Sequence, residues 1–334
     1  MSGPGTDTRP PAERDQFGRA IEYLRISVTD RCNFRCMYCM PAAGLPWLPR
    51  ADILSYEEIA AIVGQLAPLG LRRVRLTGGE PTIRPQLERL IAMLRAIDGV
   101  DDIALSTNGV TLEECAPRFR DAGLDRVNMS ADSLRPERIA KIARRNLGLD
   151  PVRAGRAATA AGLAPLKLNV VVMRGINDDE IADFARLTLE HPWHVRFIEL
   201  MPVGEMRDLT WDHVVPSDEV LSRVADVAPL EAVAGPKGNG PAVYHAFTGG
   251  AGTIGVITPM SHTYCSTCNR VRLTADGRLR TCLFGDHEVG LRDALRSGEP
   301  LAPLFRAALA GKPREHALLQ MQVGGLRALS QVGG

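Results

Sequence analysis

The sequence, 334 residues long, has very little lysine: Lys141, Lys167, Lys237 and Lys312 are the only ones among 40 basic side chains. That skew makes any single arginine weak evidence for a binding site and gives a lysine inside a strand more weight. Net charge is nearly absent, at +1, which removes any global attraction to nucleic acid or to an anionic membrane surface. No run approaches the roughly 20 apolar residues that span a bilayer. Residues 1–16, rich in Gly, Pro and charge, lack the apolar centre of a secretory signal and read as a disordered leader on a cytoplasmic protein. No Gly-x-x-x-x-Gly-Lys-Ser/Thr loop occurs, so a phosphate site of the ATPase kind is excluded. An even disulfide framework is missing too: there are seven cysteines, and six fall in two tight groups, which fits metal ligation better.

What is present is a repeat of strand, loop and helix. Tyr23–Thr29, Arg73–Thr77, Ile103–Thr107, Arg126–Ser130, Leu166–Val172 and His194–Leu200 read as strands. Between them lie helical stretches, the first opening at Ser55 with Glu58 as a capping box and stopping at Gly70. Six such units predict a parallel sheet with right-handed crossovers, an α/β fold best described as an incomplete TIM-like (βα)6 barrel. After Pro202 the pattern changes. The stretch Glu231–Pro241, containing AVAGPKGNGP, reads as a linker or hairpin region, and Tyr244–Phe247, Gly252–Ile257, Arg270–Thr274 and Leu279–Cys282 as further strands. Asp276-Gly277 between the last two is a hairpin signal; Pro300–Lys312 reads as a loop with a short helix. The expected organisation is a core at 17–234 and a smaller α+β domain at 235–334.

Cys32, Cys36 and Cys39 form C-x3-C-x2-C after the first strand. Three thiolates hold three irons of a four-iron cluster and leave the fourth open. A structural zinc would need a further ligand, and this loop has no His or fourth Cys. Gly78-Gly79-Glu80-Pro81 follows the second strand, where glycines let the backbone approach a neighbour closely. Further residues close the later strands: Thr107, Ser130 and, after Glu199, Met201. In barrels of this kind such strand ends carry the chemistry. Cys265, Cys268 and Cys282 form C-x2-C-x13-C, again three ligands; on spacing alone a zinc knuckle completed by His262 or His287 stays open.

Several segments carry a closer likeness: YLRISVTDRCNFRCMYCMP at 23–41, RLTGGEP at 75–81, GINDDE at 175–180, RFIELMPVGE at 196–205 and SHTYCSTCNRVRLTADGRLRTCLFG at 261–285. The chain resembles the radical S-adenosylmethionine (SAM) superfamily and, within it, the GTP 3′,8-cyclases of molybdenum-cofactor biosynthesis. The resemblance implies two [4Fe-4S] clusters, one on each cysteine group, and SAM on the open iron of the first. Tyr38, Gly79, Thr107, Ser130 and Met201 would surround SAM, with Glu80 toward its amino group. Arg25, Arg75, Lys167, Arg196, Arg270 and Arg272 would surround GTP, since arginine forks suit phosphate oxygens. The implied reaction removes hydrogen from ribose C3′ through a 5′-deoxyadenosyl radical and joins C3′ to guanine C8. Arg25, Glu80 and a terminal Gly333-Gly334 entering the active site are the implied catalytic positions. An external one-electron donor of flavodoxin or ferredoxin type is implied, a homodimer is left open, and neither nucleic acid nor membrane is expected as a partner. Cys115, in a helical stretch, reads as a small buried hydrophobe.

Overall fold

Alternation sets the sheet. Along β1 (Tyr23–Ser27) the positions Leu24 and Ile26 are fully buried against the helices, while Tyr23 and Arg25 point to the other face, as a period of two requires. The computed structural model describes residues 10–201, 209–236, 240–316 and 327–332. β2 (Arg73–Thr77), β3 (Asp102–Thr107), β4 (Arg126–Ser130), β5 (Lys167–Val172) and β6 (His194–Glu199) follow, each within two residues of the expected bounds and each parallel to its predecessor.

The helices α1 (Tyr56–Leu66), α2 (Leu87–Arg95), α3 (Leu112–Asp121), α4 (Pro136–Ala143), α5 (Pro151–Ala160) and α6 (Ile181–Glu190) connect these strands. The capping box at α1 forms as expected: the Glu58 amide donates to Ser55 Oγ at 3.1 Å, and the Ser55 amide donates to Glu58 Oε2 at 2.7 Å. α1 gives way to a short 3-10 turn, and Gly70 at φ +89° ends it. Leu24, Ile26, Val74 and Leu76 from the strands pack with Ile59, Ile62, Leu90 and Leu94 from α1 and α2 in one core. Each such buried aliphatic side chain contributes about 1.5–3 kcal/mol. Cys115 lies in that core, as expected.

The C-terminal part adds strands to both edges of the same sheet. After α7 (Ser217–Ala225) come β7 (Leu230–Val233), β8 (Val243–Phe247) and β9 (Thr253–Ile257), and β9 runs parallel to β6. β10 (Arg270–Leu273) runs parallel to β1 on the opposite edge, followed by antiparallel β11 (Arg278–Arg280) and β12 (Glu288–Gly290). The full order is β12-β11-β10-β1-β2-β3-β4-β5-β6-β9-β8-β7. The run from β10 through β1–β6 to β9 is thus parallel throughout, and the order ends at β12 and β7 without closing a barrel.

Two expectations need correction. Pro300–Lys312 is mostly helix: after α8 (Arg292–Arg296), α9 spans Leu301–Ala310. Pro303 falls in its first turn, where a missing N–H leaves no helical bond unmade. Residues 13–16, placed in a disordered leader, are docked: the Glu13 amide donates to Leu69 O at 3.0 Å, and Asp15 is 6% exposed.

Candidate active site

The inward faces of the strands converge on one cavity. Tyr23 and Arg25 from β1, Arg75 from β2, Arg196 from β6 and Arg270 and Arg272 from β10 line its wall. Strand register puts Arg272, Arg25 and Arg75 in a single row across three neighbouring strands. Arg75, Arg196 and Arg272 are buried. Withdrawal from solvent and then repulsion by Arg272 and Arg75 push Arg25 well below the usual arginine range. Burial brings Arg75 and Arg272 each down to about 10. Arg75 lies over the Tyr23 ring at 5.3 Å, and its Nε has no hydrogen-bond partner. Such a row raises the energy of the fold unless an anion meets it.

Arg196 is oriented from its own side of the sheet: Nε and Nη2 donate to Asn169 Oδ1 at 2.9 and 2.6 Å, and Nη2 to Asn128 Oδ1 at 2.8 Å. Lys167 is buried on β5 opposite Asn128 but does not form part of the cavity wall. Burial, then Arg196 and other neighbouring arginines, lowers its ammonium to about 6.

Above the C-terminal ends of β1–β4 sits the first cysteine group. Cys32, Cys36 and Cys39 all face the cavity. Their loop is fixed by main-chain bonds: the amides of Arg35 and Met37 donate to Ala143 O and Ile142 O at the end of α4, at 2.8 and 3.0 Å. The Gly79 amide donates to Thr29 O at 2.8 Å, and a Cβ at Gly79 would stand 2.1 Å from Arg31 O. The glycine therefore serves the packing of one strand-end loop on another. Glu80, 1% exposed, accepts from Thr82 Oγ1 and Thr107 Oγ1 at 2.7 Å and from the Asn108 amide at 2.7 Å. Burial raises its carboxyl, and these bonds pull it partly back. Tyr38 donates its hydroxyl to Asp132 Oδ2 at 2.7 Å, and the Val171 amide donates to Asp132 Oδ1 at 2.9 Å. Thr107, Ser130 and Met201 complete this end of the cavity. All five residues expected around SAM thus line one wall.

The second cysteine group lies at the other end of the same strands, because Cys268 precedes β10 and Cys282 follows the antiparallel β11. Tyr264 and Leu283, beside it in sequence, line the cavity from that end, and Arg270 lies over the Tyr264 ring at 5.0 Å. Lys312, 2% exposed, donates from Nζ to Arg270 O at 3.0 Å, to Thr281 O, and to Cys268 Sγ at 3.7 Å. Burial raises the Cys268 thiol, but Arg270 and Lys312 more than offset it and bring it down to about 7. The first group differs: burial pushes Cys32 up to about 11 and Cys39 up to about 12. Such thiols ionise only when a cation takes the proton's place.

Among the described residues no three His, Cys, Asp or Glu side chains converge tightly enough to hold a single metal ion. His262 and His287 are both exposed. Two partly buried sets of three thiols suit a cuboidal iron–sulfur cluster, which takes three protein thiolates and leaves one iron open. The donor sets therefore fit the two clusters, with the carboxylate and hydroxyls beside the first suited to the amino-acid end of SAM.

The described part of the C-terminus, residues 327–332, runs into this cavity. Leu329 and Ser330 line it, and Arg272 donates to Val332 O at 3.3 Å. Gly333 and Gly334 lie outside the described residues. The sequence reading marks Asn128 and Asp132 by their place at and just past the end of a strand without giving them a role, and it misses Asn169, Lys312 and Ser330, which bond to or lie beside expected site residues.

The radical SAM superfamily profile matches residues 26–188, and the profile described as molybdenum cofactor synthesis C matches residues 193–318. GTP 3′,8-cyclase of Moorella thermoacetica is 49% identical over 326 residues, covering 96% of this chain and 100% of that protein. The GTP 3′,8-cyclases of Heliobacterium modesticaldum and Pelotomaculum thermopropionicum are 48% and 45% identical, each over 96% of this chain and over 99% and 100% of theirs. With both halves matched and the relatives covered end to end, the chain belongs to the radical SAM superfamily and, within it, to the GTP 3′,8-cyclase family.

Proposed function

We propose that this chain converts GTP to (8S)-3′,8-cyclo-7,8-dihydroguanosine 5′-triphosphate, the first step of molybdopterin biosynthesis. The observation that carries the reading is the row Arg272–Arg25–Arg75 between the two cysteine groups, a cationic shelf suited to a triphosphate. A cluster on Cys32, Cys36 and Cys39, with SAM on its open iron, supplies a one-electron hydrogen abstraction when bound.

The chain's own residues do the positioning. Gly79, Thr107, Ser130 and Met201 enclose the SAM side, and Tyr38, pinned by Asp132, fixes the cysteine loop. Glu80 accepts from the amino group of SAM. The arginine row and Arg196 fix the triphosphate so that ribose C3′ faces the SAM side, while Cys265, Cys268 and Cys282 hold the second cluster at the purine. Lys167, behind the cavity wall and held down to about 6 by burial and its arginine neighbours, would take up a proton and add positive charge only once the triphosphate is bound. A role for the terminal Gly333 and Gly334 in the active site belongs to the same proposal, since residues without side chains suit a narrow channel. Much of the rate gain is expected from orientation and from keeping water away from a reactive carbon centre. A flavodoxin- or ferredoxin-type protein supplies the electron, and the enzyme works in the cytoplasm; no described helix is long and apolar enough to cross a membrane.

The test is turnover of GTP deuterated at C3′ by anaerobically reconstituted protein. Deuterium in the 5′-deoxyadenosine released, together with the cyclised nucleotide, supports the assignment; deoxyadenosine without deuterium refutes the site of abstraction.

A further inference from the structure

The segment just before β1 is tied to the second cysteine group by one arginine. Arg19 is 9% exposed, and its Nε donates to Asp15 Oδ2 at 2.6 Å. The other oxygen of Asp15 accepts from the Phe17 and Arg19 amides at 2.9 and 3.0 Å, so the carboxylate shapes the turn and aims the guanidinium. Arg19 then spends its remaining donors on three carbonyls: Nη1 on Cys265 O at 2.7 Å and Arg314 O at 3.1 Å, Nη2 on Pro313 O at 2.7 Å. Gln16 adds a bond from Nε2 to Lys312 O at 3.1 Å. Lys312 in turn holds the start of β10 and the residue before Cys282, and touches Cys268 Sγ.

We infer that Arg19, with Asp15 behind it, is a positioning residue that brings the Cys265 turn and the Lys312 segment together and so holds the second group of three thiols in one arrangement. The inference rests on the reading of Cys265, Cys268 and Cys282 as ligands of a second cluster. The three ligands come from two segments, 265–268 and 282, joined by a hairpin. Lys312 bridges those segments, and the carbonyls that Arg19 gathers fix the main chain on either side of it. A guanidinium forked to three carbonyls is fixed by geometry that lysine cannot reproduce.

The test uses the full chain, anaerobically reconstituted, as wild type, Arg19→Gln, Arg19→Lys and Lys312→Gln. Iron and sulfide are measured beside the electron paramagnetic resonance spectrum of the reduced protein and SAM cleavage without GTP. The expected result for Arg19→Gln is a twofold fall in iron, from about eight to about four per chain for two four-iron clusters, with SAM cleavage retained and the signal of the second cluster lost. Arg19→Lys should restore iron only in part. Lys312→Gln, which leaves the Arg19 fork intact, should keep the second signal but shift it, and it carries the test if Arg19→Gln does not fold. Full iron with an unchanged spectrum in Arg19→Gln and Lys312→Gln would overturn the inference, as would parallel loss of both clusters in Arg19→Gln. A wild type holding only four irons would instead sink the two-cluster reading on which it rests.

Discussion

The two cysteine loops carry the same number of thiols and are held in different ways. The first is held largely by main chain, with amides of Arg35, Met37 and Gly79 donating to carbonyls of α4 and of the β1 loop, and is trimmed by short-range side-chain bonds from Arg35 to Cys32 O and from Tyr38 to Asp132. The second is held by charged side chains from elsewhere in the chain. Arg19 and Lys312 donate to its carbonyls, and Glu199 accepts from the Met260 and Ser261 amides, both at 3.0 Å. A loop held by main chain depends on the strands and helices that deliver it and tolerates most side-chain changes nearby. A loop held by distant charges can be released by one substitution. One thiol follows the same difference: burial raises Cys39 to about 12, as it raises Cys265, while neighbouring cations bring Cys268 to about 7.

The largest effect should come from Glu199→Ala. Glu199 is 3% exposed and anchors Ser217 as well as 260–261. Leaving those amides unsatisfied costs about 1–3 kcal/mol per group. The second cluster should be lost and the first retained, read as halved iron with SAM cleavage intact; loss of the first cluster alone would reverse the comparison. Next is Gly79→Ala, which challenges the first loop where only main chain is available to yield. Overpacking of this kind costs about 1–3 kcal/mol, so the melting temperature and first-cluster iron should both fall while the second spectrum stays. Retention of both would mean that the loop is softer than its bonding suggests.

Between the loops, Arg75→Met should weaken GTP about 10- to 100-fold, the equivalent of a hydrogen bond to a charged group of about 1.5–3 kcal/mol. Because it removes one of several buried like charges, the nucleotide-free protein should melt no lower than wild type. Equilibrium dialysis and calorimetry read the two halves separately, and a marked drop in melting temperature would show that Arg75 serves the fold. The smallest effect is expected for Tyr38→Phe. It removes one bond to Asp132, about 1 kcal/mol, and should change SAM affinity only a few-fold by isothermal titration. A loss as large as that of Gly79→Ala would mean that the first loop also hangs on side chains.

This contrast explains what could be read from the sequence. β1–β6 and the helices between them follow from periodicities of two and 3.6, and the Ser55–Glu58 cap from four adjacent residues. The six cysteines, Gly79 and Glu80 announce themselves by spacing within single loops. β7 and β12 are only four and three residues long, too short for a pattern, and α9 was obscured by the prolines at its start. Arg19, Lys312 and Glu199 were illegible for another reason. Their partners lie 246, 44 and 61 residues away, so no local window holds both ends of the bond. Among 40 basic residues, nothing in composition singles out Arg19.

Because β9 and β10 lie on opposite flanks of the parallel run yet follow one another in the chain, the segment 258–269 acts as a stitch across the mouth of the open barrel. That stitch contains Cys265 and Cys268. Any tension that parts the two flanks is transmitted to those thiols, and a bound cluster in turn fastens the stitch to Cys282 beyond the hairpin. Proteolysis within 258–269 should therefore report on mechanical looseness of the whole mouth: rapid in cluster-free protein, slow once the second cluster is in place.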